Sequence, residues 1–128
     1  MKLFEMHLPY PPSVNKYYIR SKKNGVILSR VARIYRELVM IVCSQWTGKI
    51  IDTPVIAWIE LYPPDYRVRD TDNTQKAVFD SLQGAGVIAN DKFIVEHHVK
   101  MCKKFPPYGI IHVTIFDAKD SEWKKTNL

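Results

Sequence analysis

Acidic side chains and a lysine are concentrated in one short segment of the chain, Arg69-Asp70-Thr71-Asp72-Asn73-Thr74-Gln75-Lys76. Two aspartates flank a single threonine there. Asp72 and Lys76 would share one face of a helix beginning at this point, because they are four residues apart. A carboxylate at a helix start accepts hydrogen bonds from free backbone N–H groups, so either aspartate alone is explained as a helix cap. The pair is also compatible with a metal site, and the spacing leaves both interpretations open.

A third carboxylate, Asp91, follows the helix predicted after this segment. The residues from Gly84 to Asn90 can each span up to ~3.3 Å, which is enough to return the chain toward the helix start. If the three carboxylates converge, their hard oxygen atoms suit Mg²⁺ or Mn²⁺, and such an ion can ionise water and polarise a phosphoryl oxygen. Lys76 would then be a point charge beside a phosphate, or it could hold the acidic cluster together without metal. For Asp80, one turn beyond Lys76, we expect a structural ion pair rather than a fourth ligand.

Composition restricts the classes of protein that fit. The 128 residues suit a single domain, and 46% hydrophobic with 25% charged residues is ordinary for a globular protein. A net charge of +6 and a pI near 9.3 favour an anionic partner, nucleic acid first. Cys43 and Cys102 have no metal-type or disulfide spacing, so we interpret them as small buried thiols. Prolines interrupt the N-terminus and no apolar run reaches ~20 residues. We therefore expect a cytoplasmic protein with no membrane partner.

Other chemistries find little support in the residues. His97 and His98 are adjacent in a predicted strand, so their side chains face opposite sides and cannot chelate one ion together. The chain contains no Gly-rich phosphate loop, no nucleophile elbow and no zinc-type spacing, and we expect no nucleotide cofactor. Asp-x-Asp also occurs in metal-dependent sugar transferases, but those need a larger nucleotide-binding domain than this chain offers.

The pattern along the chain predicts a two-layer α/β (α+β) domain over residues 1–128, with a polar C-terminal tail at about 117–128. The order is β-α-β-α-β-β, with two helices packed on one face of a mixed four-stranded sheet. We expect the fourth strand to be the hairpin partner of the third. The elements are strands at Lys2–Leu8, Val55–Tyr62 (covered on both faces), Phe93–Lys103 and Ile110–Phe116, and helices at Arg30–Trp46 and Asp72–Gln83.

The first helix is predicted in more detail than the other elements. Ser29 is positioned to cap its N-terminus. Arg30, Arg33 and Arg36 fall away from the apolar positions and are expected to point toward solvent. The apolar positions recur at three- and four-residue steps and predict one buried stripe, formed by Val31, Ile34, Tyr35, Leu38, Ile41, Val42 and Trp46.

A basic, aromatic segment at residues 15–25 precedes that helix, and its Asn24-Gly25 pair predicts a small hairpin. Tyr17 and Tyr18 among four cations suit phosphate contacts and stacking on nucleic-acid bases. An alternative is a solvated hairpin whose tyrosines fold onto the core.

Three segments together resemble the RusA family of Holliday-junction resolvases. They are Leu8-Pro9-Tyr10-Pro11-Pro12-Ser13-Val14-Asn15, then Arg69 to Lys76 with Asp80, and finally Asn90-Asp91. The resemblance spans nearly the whole chain, in the same order and at the expected spacing, and the Asp-x-Asp-Asn-x-x-Lys block is specific in this context.

This resemblance implies a homodimeric, Mg²⁺-dependent endonuclease of phage or prophage origin that resolves four-way DNA junctions by paired nicks. Asp70, Asp72 and Asp91 match the family's essential acidic positions and would be the metal ligands, and Lys76 matches a further required position. The residues expected to position the DNA are Asn15, Lys16, Tyr17, Arg20, Lys22, Lys23, Arg67, Arg69, Asn73 and Lys76. The alternatives are a non-catalytic junction-binding protein of the same fold and a metal-dependent flap or RNA nuclease.

Overall fold

The computed structural model of the chain describes residues 1–13, 17–23, 25–65 and 74–119. The predicted order of strands and helices holds across these ranges, with one additional small hairpin. The elements are β1 (Lys2–Pro9), β2 (Tyr18–Ser21), β3 (Gly25–Leu28), α1 (Arg30–Cys43), β4 (Val55–Tyr62), α2 (Thr74–Gly84), a 3₁₀ turn (Asp91–Phe93), β5 (Ile94–Met101) and β6 (Ile110–Asp117).

Four strands form the main sheet in the order β1-β6-β4-β5. β4 pairs in parallel with β5, whereas β6 pairs antiparallel with both β1 and β4, so the sheet is mixed as predicted. Alternate residues of the strands face the helices and are almost completely buried, among them Phe4, Leu8, Ala57, Ile59, Val113 and Ile115. On the other face of β4, Ile56 is buried but Trp58 and Glu60 are only half-buried. The prediction of a strand covered on both faces therefore holds only in part.

The predicted hairpin between the last two strands is wrong. β5 and β6 are separated by β4, which occupies the position between them. The connection crosses the end of β4, where the Phe105 backbone N–H donates to the Pro63 carbonyl at 2.7 Å. Gly109 has φ +73°, and a Cβ there would lie 2.8 Å from the Tyr62 carbonyl oxygen, so a side chain would clash with β4. Two alternating strands joined by a Pro-rich turn look the same in sequence whether they pair or flank a third strand.

The small hairpin predicted around Asn24-Gly25 is present. β2 and β3 pair antiparallel from Tyr18 with Leu28 to Ser21 with Gly25. Gly25 adopts φ +71°, a left-handed conformation that glycine reaches without steric cost, and this closes the turn. The Ser29 backbone N–H donates to the Tyr17 carbonyl at 2.9 Å, which joins the base of the hairpin to the start of α1.

Helix α1 begins at its predicted cap, because the Ser29 hydroxyl oxygen accepts a hydrogen bond from the Ala32 N–H at 3.1 Å. It ends at Cys43, three residues before the predicted Trp46. Burial raises the pKa of the Cys43 thiol to about 11, which fits the predicted inert core thiol; Cys102 is only half-buried.

The predicted buried stripe of α1 is largely wrong. The residues that face the core are Ala32, Tyr35, Val39 and Cys43. Val31, Ile34, Leu38 and Ile41 form a second apolar stripe that stays exposed. Hydrophobic periodicity does not distinguish two neighbouring apolar stripes on α1, so the prediction treated them as one. The sheet contacts only the stripe that carries Tyr35. The Tyr35 hydroxyl donates to the Pro9 carbonyl at 2.8 Å, which fixes that face over β1.

In the part of the chain that the structure describes, no helix has both the length and the apolar composition required to cross a bilayer.

Replacing the α1 cap tests how the helix start is stabilised. Ser29→Ala removes the acceptor for the Ala32 N–H in a buried position, so we expect the free energy of unfolding to fall by about 1 kcal/mol. Urea denaturation followed by circular dichroism measures this loss. Thr47→Ala, an exposed change outside the helix, is the control and should stay within about 0.5 kcal/mol of the parent. Equal stability of the Ser29→Ala variant and the parent would contradict the capping role.

Candidate active site

The predicted site residues divide between the described ranges and the rest of the chain. Tyr17, Arg20, Lys22, Lys23, Lys76 and Asp91 lie within the described ranges. Asn15, Lys16, Arg67, Arg69, Asp70, Asp72 and Asn73 lie outside them, so the convergence of the three aspartates remains a prediction. Lys76 and Asp91 both belong to the surface around α2.

One face of α2 consists of Lys76, Asp80 and Gln83, which are spaced four and three residues apart and therefore align along the helix. We refer to it as the Lys76 face. The opposite side of α2 is buried through Ala77, Val78, Ser81 and Leu82, which pack into the core. This burial fixes the rotation of α2 and turns the Lys76 face outward. Each of its three residues contacts a different neighbouring element.

Gln83 holds the turn that carries Asp91. The Gln83 Oε1 atom accepts a hydrogen bond from the Asp91 backbone N–H at 3.1 Å. Asn90 caps the 3₁₀ turn, because its side-chain oxygen accepts from the Lys92 N–H at 2.9 Å. Asp91 thus opens a 3₁₀ turn directly before β5, and its side chain is exposed. Because Gln83 accepts this hydrogen bond, the turn lies beside the second half of α2, about 10 Å along the helix axis from Lys76.

Lys76 lies against the hairpin. Its Nζ atom is 5.3 Å from the centroid of the Tyr18 ring, which is within the range of a cation–π contact. Burial raises the pKa of Tyr18; the charge of Asp80 raises it further, the charge of Arg36 lowers it, and the charge of Asp91 makes a smaller raising contribution. Both side chains are exposed, Lys76 on α2 beside the Tyr18 ring and Asp91 on the turn that Gln83 holds.

Asp80 has the structural role expected of it, with Arg36 as its ionic partner. The Tyr17 hydroxyl donates to Asp80 Oδ2 at 2.7 Å, and Arg36 Nε lies 3.3 Å from the same oxygen atom. Burial and this hydrogen bond both raise the pKa of Tyr17. The side chain of Tyr17 is completely buried, so the expected contact of its ring with DNA is wrong. The alternative, in which this tyrosine folds onto the core, is correct.

The prediction that Arg36 points toward solvent is also wrong. Packing of α1 against α2 brings its guanidinium beside Asp80 and over Gly84. A Cβ at position 84 would lie 2.5 Å from Arg36 Nη2, so the absence of a side chain there makes room for the arginine. Sequence periodicity placed Arg36 off the α1 stripe correctly, but it contained no information about a second helix on that side.

Exposed cations surround this surface. Arg20, Lys22 and Lys23 are exposed on the hairpin, and Lys92 is exposed directly after Asp91. Arg20 and Tyr18 are on the same face of β2, because they are two residues apart in a strand, which corresponds to ~7 Å. Arg20 therefore extends the surface beyond the Tyr18 ring. The sequence analysis predicted no role for Lys92 or Gln83. Lys92 directly follows Asp91, and Gln83 lies seven residues after Lys76 on the predicted helix, so both positions could have indicated a role in the site.

Of the three expected metal ligands, the described residues include Asp91. Among them, no three His, Cys, Asp or Glu side chains are grouped closely enough to hold an ion. Asp91 offers an exposed carboxylate on a turn that Gln83 and Asn90 fix in place. Hard oxygen donors of this kind fit Mg²⁺ or Mn²⁺, and the remaining expected ligands, Asp70 and Asp72, belong to residues 66–73.

Comparison with known proteins decides the family. The sequence model of the family described as Endodeoxyribonuclease RusA matches residues 9–115. The chain belongs to the RusA family. Family membership makes it a hydrolase that acts on DNA, as the sequence resemblance implied. The matched region contains the hairpin, both helices and Asp91, so the surface around Lys76 lies entirely within it.

Curated relatives agree over most of the chain. The crossover junction endodeoxyribonuclease of Enterobacteria phage 82 is 37% identical over 103 residues, which is 77% of this chain and 82% of the relative. The proteins of the same name from Shigella sonnei (strain Ss046) and Escherichia coli (strain K12) are each 37% identical over 100 residues, with the same shares covered.

The interaction between Asp80 and Tyr17 can be tested by a double-mutant cycle. Asp80→Ala leaves the buried Tyr17 hydroxyl without its acceptor, so we expect a loss of about 1–3 kcal/mol in the free energy of unfolding. Tyr17→Phe removes the hydroxyl, and Asp80→Ala should cost less in that background, because the two residues act as a pair. Urea denaturation of all four proteins gives the coupling energy, and an additive result would contradict the contact.

The same position separates a structural carboxylate from a metal ligand. Asp80→Asn keeps a side-chain oxygen that can accept from Tyr17 but removes the negative charge. We expect this variant to retain DNA cleavage, with any loss proportional to its loss of folded protein. A folded Asp80→Asn protein without any cleavage would place Asp80 among the catalytic residues instead.

Proposed function

We propose that this chain is a Mg²⁺-dependent, structure-selective endonuclease that resolves four-way DNA junctions by paired symmetric nicks. The observation that carries the proposal is that α2 of a RusA-family chain presents Lys76 beside the hairpin and, through Gln83, holds the turn of the exposed Asp91. The names of the relatives, crossover junction endodeoxyribonucleases, support the same substrate. A chromosomal or phage DNA substrate is met in the cytoplasm, which is where we propose that the enzyme acts.

Three carboxylates hold the ion in this proposal: Asp70, Asp72 and Asp91. When bound, Mg²⁺ acidifies a water molecule and offsets negative charge on the phosphate, and Mn²⁺ can substitute for it. Among these three, Asp91 is the one in the described ranges, on the turn that Gln83 fixes beside the second half of α2.

Lys76 supplies positive charge beside the scissile phosphate. Its ammonium group is held by the Tyr18 ring at 5.3 Å, which limits the volume that the flexible side chain explores. Asp80 does not compete strongly for this charge, because Arg36 and the Tyr17 hydroxyl already contact its Oδ2 atom. Lys76 is therefore available to a phosphate oxygen.

The exposed cations position the DNA backbone. Arg20, Lys22 and Lys23 are exposed cations of the hairpin whose Tyr18 contacts Lys76. Phosphate contacts of this kind fix the register of a nucleic acid without reading its sequence. We assign the same role to the expected DNA-binding residues outside the described ranges: Asn15, Lys16, Arg67, Arg69 and Asn73.

A homodimer completes the proposal. Symmetric cleavage of two opposed strands requires two matched sites, and a twofold axis provides them in a single assembly. Each protomer would supply its own Asp91 and Lys76, and the two hairpins would contact separate arms of the junction.

Cleavage assays on a labelled four-way junction test the proposed reaction. We expect nicking with Mg²⁺, none with EDTA, and loss of cleavage by at least two orders of magnitude in Asp70→Asn and in Asp91→Asn. Junction binding should persist or tighten in both variants, because negative charge is removed near phosphates. Glu96→Gln, on the sheet face away from the helices, is the matched control and should cleave normally.

Two outcomes would replace the proposal. A folded wild-type protein that binds junctions but never nicks them with metal is a binding protein. Faster cleavage of flap or RNA substrates in parallel reactions identifies a different nuclease.

Salt dependence tests the proposed contact between the hairpin and DNA phosphates. Each phosphate contact releases about 0.9 counterion, so Arg20→Ala should reduce the slope of log K against log salt by about one unit. Fluorescence anisotropy on a catalytically inactive background measures the slope without cleavage. Lys100→Ala removes an exposed lysine from β5, away from the site, and should leave the slope unchanged. A slope that Arg20→Ala does not change would exclude Arg20 from the interface.

A further inference from the structure

The turn between β5 and β6 presents two exposed aromatic side chains. Phe105 is 54% exposed and Tyr108 is 85% exposed, and two prolines lie between them in the chain. At this exposure the Tyr108 ring buries almost no apolar surface, so core packing does not account for an aromatic residue at this position. Exposed apolar side chains grouped on one short segment mark an interaction site more often than scattered ones do.

Backbone hydrogen bonds fix this turn at the end of the sheet. The Cys102 N–H donates to the Leu61 carbonyl and the Phe105 N–H to the Pro63 carbonyl, each at 2.7 Å. The Gly109 N–H closes the turn by donating to the Phe105 carbonyl at 2.8 Å. The two rings are therefore carried by a fixed backbone, and a ligand that binds them does not have to order the turn first.

The turn lies at the end of the sheet from which the expected DNA-binding segments leave. Ile110, the first residue of β6, pairs with Pro9 at the end of β1 and with Tyr62 at the end of β4. The expected DNA-binding residues at 15–16 follow β1 in the chain, and those at 67–73 follow β4. The turn and the origins of both segments therefore share one end of the sheet.

Helix α2 brings Lys76 toward this end of the sheet. Because α2 joins two parallel strands, it runs antiparallel to β5. Gln83 contacts the turn before β5, and the Phe79 ring lies 5.5 Å from the ring of His97 in the middle of that strand. Counted from this ring contact at ~1.5 Å per helical residue and ~3.3 Å per strand residue, the β5–β6 turn begins ~12 Å beyond Lys76. This separation corresponds to about four base steps of DNA at ~3.4 Å each.

Charge at the turn favours a polyanion. Lys103 is exposed just before the aromatic pair, and the chain contains no Asp or Glu from 97 to 116. The sheet face away from the helices differs, because Glu5 and Glu60 lie there on either side of His112, at 2.7 and 3.0 Å from its ring nitrogens. DNA is therefore attracted to the end of the sheet and repelled from that face.

The chemistry of the two rings limits which part of DNA they can bind. Phe105 has no hydrogen-bond donor and no charge, so a phosphate gains little from it. An aromatic ring contributes to DNA binding by stacking on the face of a base. In a continuous duplex the neighbouring bases cover each base face, whereas the stack is interrupted at the branch point of a four-way junction. The aromatic pair therefore fits a base exposed at a branch point better than it fits an intact duplex.

We propose that Phe105 and Tyr108 stack on bases exposed at the branch point of the junction, and that Lys103 contacts an adjoining phosphate. The turn then contributes to the discrimination between branched and linear DNA. The inference rests on the proposed function, because it assigns a further contact to the same substrate.

Equilibrium binding to a four-way junction and to a linear duplex with the same arm sequence tests the stacking. Fluorescence anisotropy of the full chain in EDTA measures both without cleavage. We expect Tyr108→Ala, and likewise Phe105→Ala, to raise the junction dissociation constant about fivefold or more and the duplex constant less than about twofold. Tyr108→Trp keeps an aromatic ring and should bind both DNAs as wild type does.

Ile50→Ala is the matched control. Ile50 is 52% exposed and precedes β4, at the opposite end of the sheet, so its removal should change neither dissociation constant. Thermal unfolding of each variant checks the fold, and the highly exposed Tyr108 remains a valid test even where Phe105→Ala loses stability. Equal losses for junction and duplex would reject stacking at the branch point. Unchanged binding in both alanine variants would remove the turn from the DNA interface and leave it to another partner.

Cleavage measured on the same proteins separates this inference from the proposed function. Metal-dependent nicking by the wild type, together with unchanged junction binding in Tyr108→Ala and Phe105→Ala, would reject the role of the turn and leave the nuclease in place. A wild type that never nicks DNA, but whose junction binding is selectively weakened by both variants, would reject the nuclease and leave the role of the turn in place.

Discussion

The carboxylate of Asp80 joins three parts of the domain at one point. It accepts the hydroxyl of Tyr17 at the base of the hairpin, pairs with Arg36 of α1 and belongs to α2. Loss of this carboxylate would leave a buried hydroxyl without its acceptor and a half-buried guanidinium without its ionic partner, which is costly in a low-dielectric environment. The relative positions of the hairpin and the two helices therefore depend on this group. Lys76, one turn earlier on the same face, is positioned as a consequence.

This arrangement separates structural charge from charge available to DNA. Asp80 and Arg36 form an ion pair between α1 and α2, with their side chains only about one-third exposed. Lys76 and Asp91 remain exposed on the outer surface, where the Tyr18 ring and the Gln83 side chain hold them. A nuclease site needs this division, because its charged groups must meet phosphate and cation rather than one another.

Local signals in the sequence predicted local structure well. The Ser29 cap, the turn at Gly25 and the order of strands and helices depend on neighbouring residues, and all are present. The failures concern partners that are distant in sequence. Strand β4 lies between β5 and β6, and Arg36 of α1 pairs with Asp80 of α2. Neither contact changes the hydrophobic periodicity of β5, β6 or α1, so that periodicity could not predict it. The motif around Asp70 indicated membership of the RusA family, because a motif consists of residues that are close in sequence. The distance from Asp91 to that motif depends on the fold, so the sequence does not give it.

The most direct test of the three-carboxylate site is a crystal structure with Mn²⁺, located by its anomalous scattering, in the presence of an uncleaved junction. We expect one ion or more whose ligands include an Asp91 oxygen and an oxygen of Asp70 or Asp72, at on the order of 2.1 Å. Lys76 should lie beside a DNA phosphate at the same site. An ion bound without Asp91, or Asp91 distant from the other two carboxylates in the complex, would contradict the three-carboxylate site.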